Sequence, residues 1–124
     1  MSDFLVCVVD DDDSVRESLR GLLRSAGYTV ESFASASEFL AASVRPRIRC
    51  LLVDVTMPGM TGPELQAHLV AEHAGRLPLP MIFMSARHDE SVRRRVLAAG
   101  AFAFLRKPFD GEELLTTIHD ALAA

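Results

Sequence analysis

Only two cysteines, Cys7 and Cys50, occur in the 124 residues, so a disulfide scaffold is not what holds this chain together. Both lie in apolar, strand-like runs and read as buried free thiols, which behave as small hydrophobes; a bridge between them runs against the reducing compartment expected here. No apolar run approaches the ~20 residues that a membrane-spanning helix requires. The opening Met1-Ser2-Asp3 is acidic and lacks the basic region of a secretory signal, so a cytoplasmic location away from membranes is the expectation. An excess of positive charge is also missing. Thirteen Lys and Arg face seventeen Asp and Glu, a net charge of −4, which argues against direct nucleic-acid binding. Internal repeats, low-complexity stretches and linkers are absent. With 49% apolar residues the chain is not disordered, and its length suits one domain with a single core.

What is present is an alternation, five times over, of apolar runs with helix-period stretches. Phe4 to Val9 reads as a buried strand. Ser14 to Ala26 follows, with Val15, Leu19, Leu22 and Leu23 on one helical face and Gly27 as the residue that stops it. Thr29 to Phe33 reads as the second strand, and Ser35 with Glu38 as a capping box opening a helix whose apolar face holds Phe39 and Leu40. Cys50 to Val53 is the third strand, ending at Asp54. The loop chemistry of Thr56 to Gly62 then leads to a helix with Pro63 in its first turn, running to about Glu72. Met81 to Met84, a helix from about Asp89 to Ala99 stopped by Gly100, and Phe102 to Leu105 come next. Asp110 and Glu113 open the last helix, which carries Leu114, Leu115, Ile118 and Leu122. Five βα units whose strands lack polar alternation predict an α/β fold, a parallel sheet covered by helices on both faces.

The polar residues fall where such a sheet binds ligands, beyond the carboxyl ends of its strands. Asp10 and Asp11, the first two of four consecutive aspartates, follow the first strand. Asp54 follows the third, Ser85 ends the fourth, and Lys107 and Pro108 follow the fifth. Carboxylates crowded at a strand end repel one another and need hydration, protonation or a counter-charge. A hard divalent cation, Mg²⁺ or Mn²⁺, matches oxygen ligands. On this reading Asp54 is a nucleophile toward phosphorus, able to form an acyl phosphate. Asp10 and Asp11 hold the metal with the Thr56 backbone carbonyl. Lys107 pairs with Asp54 and later with phosphoryl oxygens, and Ser85 donates its hydroxyl to another of them. Phosphoryl transfer needs mainly positioning and charge neutralisation, which this set supplies.

The chain closely resembles the receiver domain of two-component response regulators over essentially its whole length. The resemblance is carried by Val8-Val9-Asp10-Asp11, by Leu52-Val53-Asp54-Val55-Thr56-Met57-Pro58-Gly59-Met60-Thr61-Gly62, by Ser85-Ala86 and by Lys107-Pro108-Phe109. Phe33-Ala34-Ser35-Ala36-Ser37-Glu38-Phe39-Leu40 together with Lys107-Pro108-Phe109-Asp110 is similar to the FixJ-type subfamily. The resemblance implies a flavodoxin-like (βα)5 three-layer sandwich with a central five-stranded parallel sheet of order 2-1-3-4-5. It further implies phosphorylation of Asp54 by the phosphohistidine of a sensor histidine kinase or phosphotransfer protein. Of the acidic pair, Asp11 is the direct metal ligand. The bond before Pro108 is cis. Ser85 and Phe104 are the switch pair: the hydroxyl turns toward the phosphoryl group, the ring turns inward, and the helix 4–strand 5–helix 5 surface changes. Thr56 and Arg87, two residues after Asp54 and Ser85, flank the site and influence the phosphoryl lifetime. The chain is read as one receiver domain over 1–124 with no output domain, either standing alone or as part of a longer regulator that dimerises through that same face.

Other readings fit less well. A haloacid-dehalogenase-type phosphohydrolase carries Asp-x-Asp at its nucleophile, but here Asp54 is followed by Val55-Thr56. A flavin site needs a loop of Ser, Thr or Gly around phosphate, and an aspartate cluster repels phosphate. A phosphorylation-independent interaction domain has no use for the full set of acids, hydroxyl and lysine. His68, His73, His88 and His119 lack metal spacing and read as surface groups. Arg93-Arg94-Arg95 points in several directions around a helix and reads as a solvated face. Asp12 and Asp13 read as a neighbour of the metal site and a helix start, and Met57 and Met60 as packing for their loop.

Overall fold

The computed structural model of the chain describes residues 5–124; Phe4, expected in the first strand, lies outside them. The strands are β1 (Leu5–Val9), β2 (Thr29–Phe33), β3 (Ile48–Asp54), β4 (Met81–Ser85) and β5 (Ala103–Arg106). The helices are α1 (Asp13–Ser25), α2 (Ala36–Ala41), α3 (Gly62–Glu72), α4 (Glu90–Ala98) and α5 (Gly111–Ala123). All strands pair in parallel, in the order β2-β1-β3-β4-β5. This is the parallel α/β sheet that the alternating pattern predicts, in the five-stranded flavodoxin-like order that the family resemblance implies.

Both faces of the sheet are covered, which is why β1, β3 and β4 are almost wholly apolar and buried. On one face Cys7, Val9, Leu51, Val53 and Phe83 pack with Phe39 of α2, Leu65 and Leu69 of α3, and Val96 of α4. On the other, Val6, Val8, Cys50, Leu52, Ile82 and Met84 pack with Leu19 and Leu23 of α1 and Leu114 and Ile118 of α5. Successive strand residues point to opposite faces. Cys7 and Cys50 therefore sit in different layers, both as free thiols. Burial pushes each thiol far above its usual range, Cys50 up to about 12, so neither is a reactive thiolate at neutral pH.

The helix starts are set by local chemistry. Asp12 caps α1, accepting from the Ser14 and Val15 amides, so Asp13 is the first helical residue. Ser35 caps α2 through the Glu38 amide, but the expected box is only half formed: the Glu38 carboxylate reaches one residue further back, to the Ala34 amide. A complete box instead opens α3, where Thr61 and Glu64 exchange bonds. Asp89 and Asp110 cap α4 and α5.

Three strand boundaries differ from the apolar runs. β3 begins two residues early at Ile48, after a short 3-10 turn (Arg45–Arg47), and includes Asp54. β4 includes Ser85. β5 is shifted one residue onward: Phe102 donates its amide to the Met81 carbonyl but precedes the strand and is 39% exposed. Hydrogen-bond register, set by the neighbouring strand, overrides hydrophobicity at these ends. α3 and α4 are tied by buried Gln66, whose Nε2 donates to the Val96 carbonyl at 2.9 Å.

Candidate functional site

The carboxyl edge of the sheet gathers the polar residues that the chain spreads over a hundred positions. β1 delivers Asp10, which is 1% exposed, and β3 delivers Asp54, which is 8% exposed; exposed Asp11 stands beside them. Carboxylate oxygens of Asp10, Asp11 and Asp54 lie within 4.8 Å of one another. Lys107, immediately after β5, bridges two of them: its Nζ donates to Asp10 Oδ2 at 2.9 Å and to Asp54 Oδ1 at 3.0 Å. The second of these contacts matches the expected pair; the first was not foreseen. The Lys107 amide also donates to the Ser85 carbonyl at 2.7 Å, and the Lys107–Pro108 peptide bond is cis.

The charges do not balance: three carboxylates face one ammonium. Burial raises the Asp54 pKa by withdrawing the carboxylate from water. The Lys107 hydrogen bond and charge pull it back, Asp10 and Asp11 push it up again, and the net position is above the usual range. For Lys107, burial alone lowers the pKa, but the bonds and charges of Asp10 and Asp54 outweigh it and hold the ammonium above its usual value. A surplus of carboxylate oxygens at a partly open site is the donor chemistry of a hard divalent cation.

The loop beyond Asp54 is built around close backbone approach. The Val55 amide donates to the Met84 carbonyl and the Gly62 amide to the Val55 carbonyl. A Cβ on Gly62 would lie 2.5 Å from the Asp54 carbonyl oxygen, so only glycine fits where α3 starts. Gly59 turns the loop with φ of +77°. Met57 is buried and Met60 partly so, both packed as expected, while Thr56 is exposed.

Ser85 is buried at the end of β4, but its hydroxyl is not turned toward Asp54. It donates to the Arg87 carbonyl and accepts from the Arg87 amide, closing a tight turn at the start of the β4–α4 loop. Phe104 is partly buried against the α2–α3–α4 face, opposite Phe83 of β4. The four histidines are exposed, as expected; His68 pairs with Glu72 and His88 contacts Arg106. Arg93, Arg94 and Arg95 are all exposed on α4.

One residue at this edge was missed. Arg16, one turn into α1, donates from Nη1 to the Asp10 carbonyl at 2.6 Å and from Nη2 to the Asp13 carboxylate. Its signal in the sequence was position: a long side chain in the first turn of a helix points back toward the helix N-terminus, here the acidic loop.

An open parallel sheet with an acid triad and a lysine at its carboxyl edge defines a class, the small flavodoxin-like α/β domains with a carboxylate cluster at that edge. The family is narrower. Residues 6–119 match the model of the response regulator receiver domain. The response regulator protein TodT of Pseudomonas putida is 42% identical over 118 residues, covering 95% of this chain and 51% of TodT. The transcriptional regulatory protein FixJ of Azorhizobium caulinodans is 39% identical, covering 94% of this chain and 54% of FixJ. The solved structure FixJ-N superposes with a TM-score of 0.86 at 33% identity, covering 99% of this chain and 96% of that one. The chain belongs to the response regulator receiver domain family of two-component systems, with FixJ-type relatives. It spans about half the length of the curated relatives it matches.

Proposed function

We propose that the domain is a phosphorylation-controlled signalling receiver in which Asp54 accepts a phosphoryl group from the phosphohistidine of a sensor histidine kinase or phosphotransfer protein. The observation that carries this reading is the Lys107 bridge to Asp10 and Asp54, with Asp11 close enough to share a ligand with both. An Asp54 carboxylate oxygen attacks phosphorus. The P–N bond to the donor imidazole breaks, its electron pair leaves with the ring, and an acyl phosphate forms. Lys107 holds Asp54 ionised and aimed, then turns its ammonium to the phosphoryl oxygens. Asp10, Asp11 and Asp54, with the Thr56 backbone carbonyl, would hold Mg²⁺ or Mn²⁺. The cation supplies positive charge that lets a carboxylate and a phosphoryl dianion approach. The domain accepts and loses its own phosphoryl group and turns over no other substrate.

Signalling follows from two side chains near the sheet edge. The Ser85 hydroxyl, engaged with Arg87, rotates to a phosphoryl oxygen, and half-buried Phe104 moves further into the space beside β4. The α4–β5–α5 surface then changes. That surface exposes Arg93, Arg94 and Arg95 on α4 and Glu112, Glu113 and Asp120 on α5, opposite charges suited to a phosphorylation-dependent homodimer or to an output partner. Regulators such as TodT and FixJ, of which this chain spans about half, support control of an output domain over direct nucleic-acid contact by the receiver. Intact mass after incubation with Mg²⁺ and acetyl phosphate tests the reading. One phosphoryl group should be gained by the parent and none by Asp54→Asn; labelling that survives the substitution would move the phosphoacceptor elsewhere.

A further inference from the structure

Each of the three Asp10 oxygens accepts a hydrogen bond that fixes the residue in place. Its Oδ1 accepts from the Asp12 amide at 2.9 Å, its Oδ2 from Lys107, and its backbone carbonyl from Arg16 Nη1 at 2.6 Å. The second arm of the same guanidinium reaches the Asp13 carboxylate, a side chain otherwise 92% exposed. Arg16 is itself mostly covered, with 18% of its side chain exposed. It therefore spans the acidic loop from its first residue, Asp10, to the first residue of α1, tying both ends to one rigid helix. Arg20, one turn further on, does nothing of this kind: its Nη1 reaches only Ser32 Oγ at 3.3 Å.

We infer that Arg16 is a positioning residue for the acidic site: it fixes the path of the β1–α1 loop so that the Asp10 and Asp11 carboxylates converge on Asp54. The inference rests on the reading of that triad as a divalent-cation site. Its physical content lies in a sign. A guanidinium near a cation site repels the cation, so deleting a bystander arginine should tighten Mg²⁺ binding or leave it unchanged. Deleting a group that holds the ligands in place should weaken binding, because groups that orient metal ligands are worth about 10–100-fold in affinity. The two roles predict opposite directions from the same substitution. Lysine keeps the charge but lacks the planar fork, and can hold the carbonyl or the carboxylate but not both in this geometry.

Calorimetric titration of the purified protein with Mg²⁺ alone tests this, beside thermal melts of each variant. Arg16→Met should weaken Kd about tenfold. Arg16→Lys should weaken it about threefold, between parent and Met, because the charge survives and the fork does not. Arg20→Met, the bystander control, should leave Kd unchanged or slightly tighter. An Arg16→Lys or folded Arg16→Met protein that binds Mg²⁺ as tightly as the parent would overturn the inference alone. A parent with no measurable Mg²⁺ affinity would overturn the cation-site reading and this inference with it. Should Arg16→Met not fold, the Arg16→Lys titration decides.

Discussion

Replacing glycine by alanine at two places in this domain should have opposite effects on its stability. Gly62 starts α3 against the backbone of β3. An added Cβ would lie 2.5 Å from the Asp54 carbonyl oxygen, 3.2 Å from Val55 Cα and 3.1 Å from the Phe83 ring. Two of these three neighbours are backbone atoms of Asp54, in β3, and of hydrogen-bonded Val55 just after it, so they cannot swing aside. The Gly62 amide is held by the Val55 carbonyl at 3.0 Å, and the Thr61–Glu64 box fixes the helix just there. Relief must come from a shift of the α3 start or of the Asp54 peptide. Overpacking of this kind costs about 1–3 kcal/mol, and rigid neighbours put Gly62→Ala near the top of that range. Gly21, in the interior of α1, has nothing within 4 Å of an added Cβ and an ordinary helical φ. There alanine reduces the freedom of the unfolded chain and should stabilise by about 0.4–1 kcal/mol. At roughly 3–5 °C per kcal/mol for a domain of this length, Gly62→Ala should melt roughly 9–15 °C below the parent and Gly21→Ala about 1–5 °C above it. Circular dichroism melts read both values, and urea titrations with unchanged slopes would confirm that the native state is what changed. Because the obstructed atom belongs to Asp54, Gly62→Ala should also slow acetyl phosphate labelling. A Gly62→Ala protein that melts with the parent and labels at the same rate would refute the close-approach argument.

Two further outcomes follow from the charge imbalance at the sheet edge. Asp54→Asn should raise the melting temperature at neutral pH, because burial and the neighbouring acids raise the folded-state pKa of Asp54 and make its ionised form a destabilising one. A raised carboxylate pKa weakens the fold as pH climbs from the unfolded value near 3.9 through the folded one, so the gain should close below about pH 4, where Asp54 is protonated in both states; a gain that persists at lower pH would assign the effect to something other than charge. Mg²⁺ at one hundred times its Kd should stabilise the parent by about 2.7 kcal/mol, and Asp11→Asn should remove most of that shift while leaving the metal-free melt at or above the parent's; equal Mg²⁺ shifts in the two proteins would take Asp11 out of the cation site.

How much of this could be read beforehand depends on the range of the interaction. The five βα units are legible because each rests on nearby residues: an apolar run for a strand, Gly27 or Gly100 after a helix, a capping side chain before one. Strand ends are less legible because they are decided by a neighbour. Phe102 has the hydrophobicity of a strand residue, yet β5 begins after it because the register with Ile82 begins at Ala103. The capping errors are of the same kind. Thr61-x-x-Glu64 carried as good a signal as Ser35-x-x-Glu38, and only the backbone path at each helix start decides that the first box closes and the second reaches past to Ala34. Asp10, Asp54, Ser85 and Lys107 were legible by position, since each sits at or just beyond the carboxyl end of a strand. The Lys107–Asp54 pair was legible with them, but the other partners were not. Lys107 bonds Asp10 across 97 positions, and Arg16 bonds the Asp10 carbonyl, an atom every residue possesses and no sequence distinguishes. Ser85 marks the boundary most clearly. Its identity and strand-end position pointed to the site, while its rotamer is set by the two residues that follow, and the hydroxyl faces Arg87. A hydroxyl satisfied locally in the resting state has to exchange those bonds for any it makes to a phosphoryl group. The net gain is therefore a difference between neutral bonds to the Arg87 backbone and a charge-assisted one, on the order of 1 kcal/mol, the scale on which a two-state switch can be biased by a single charge event.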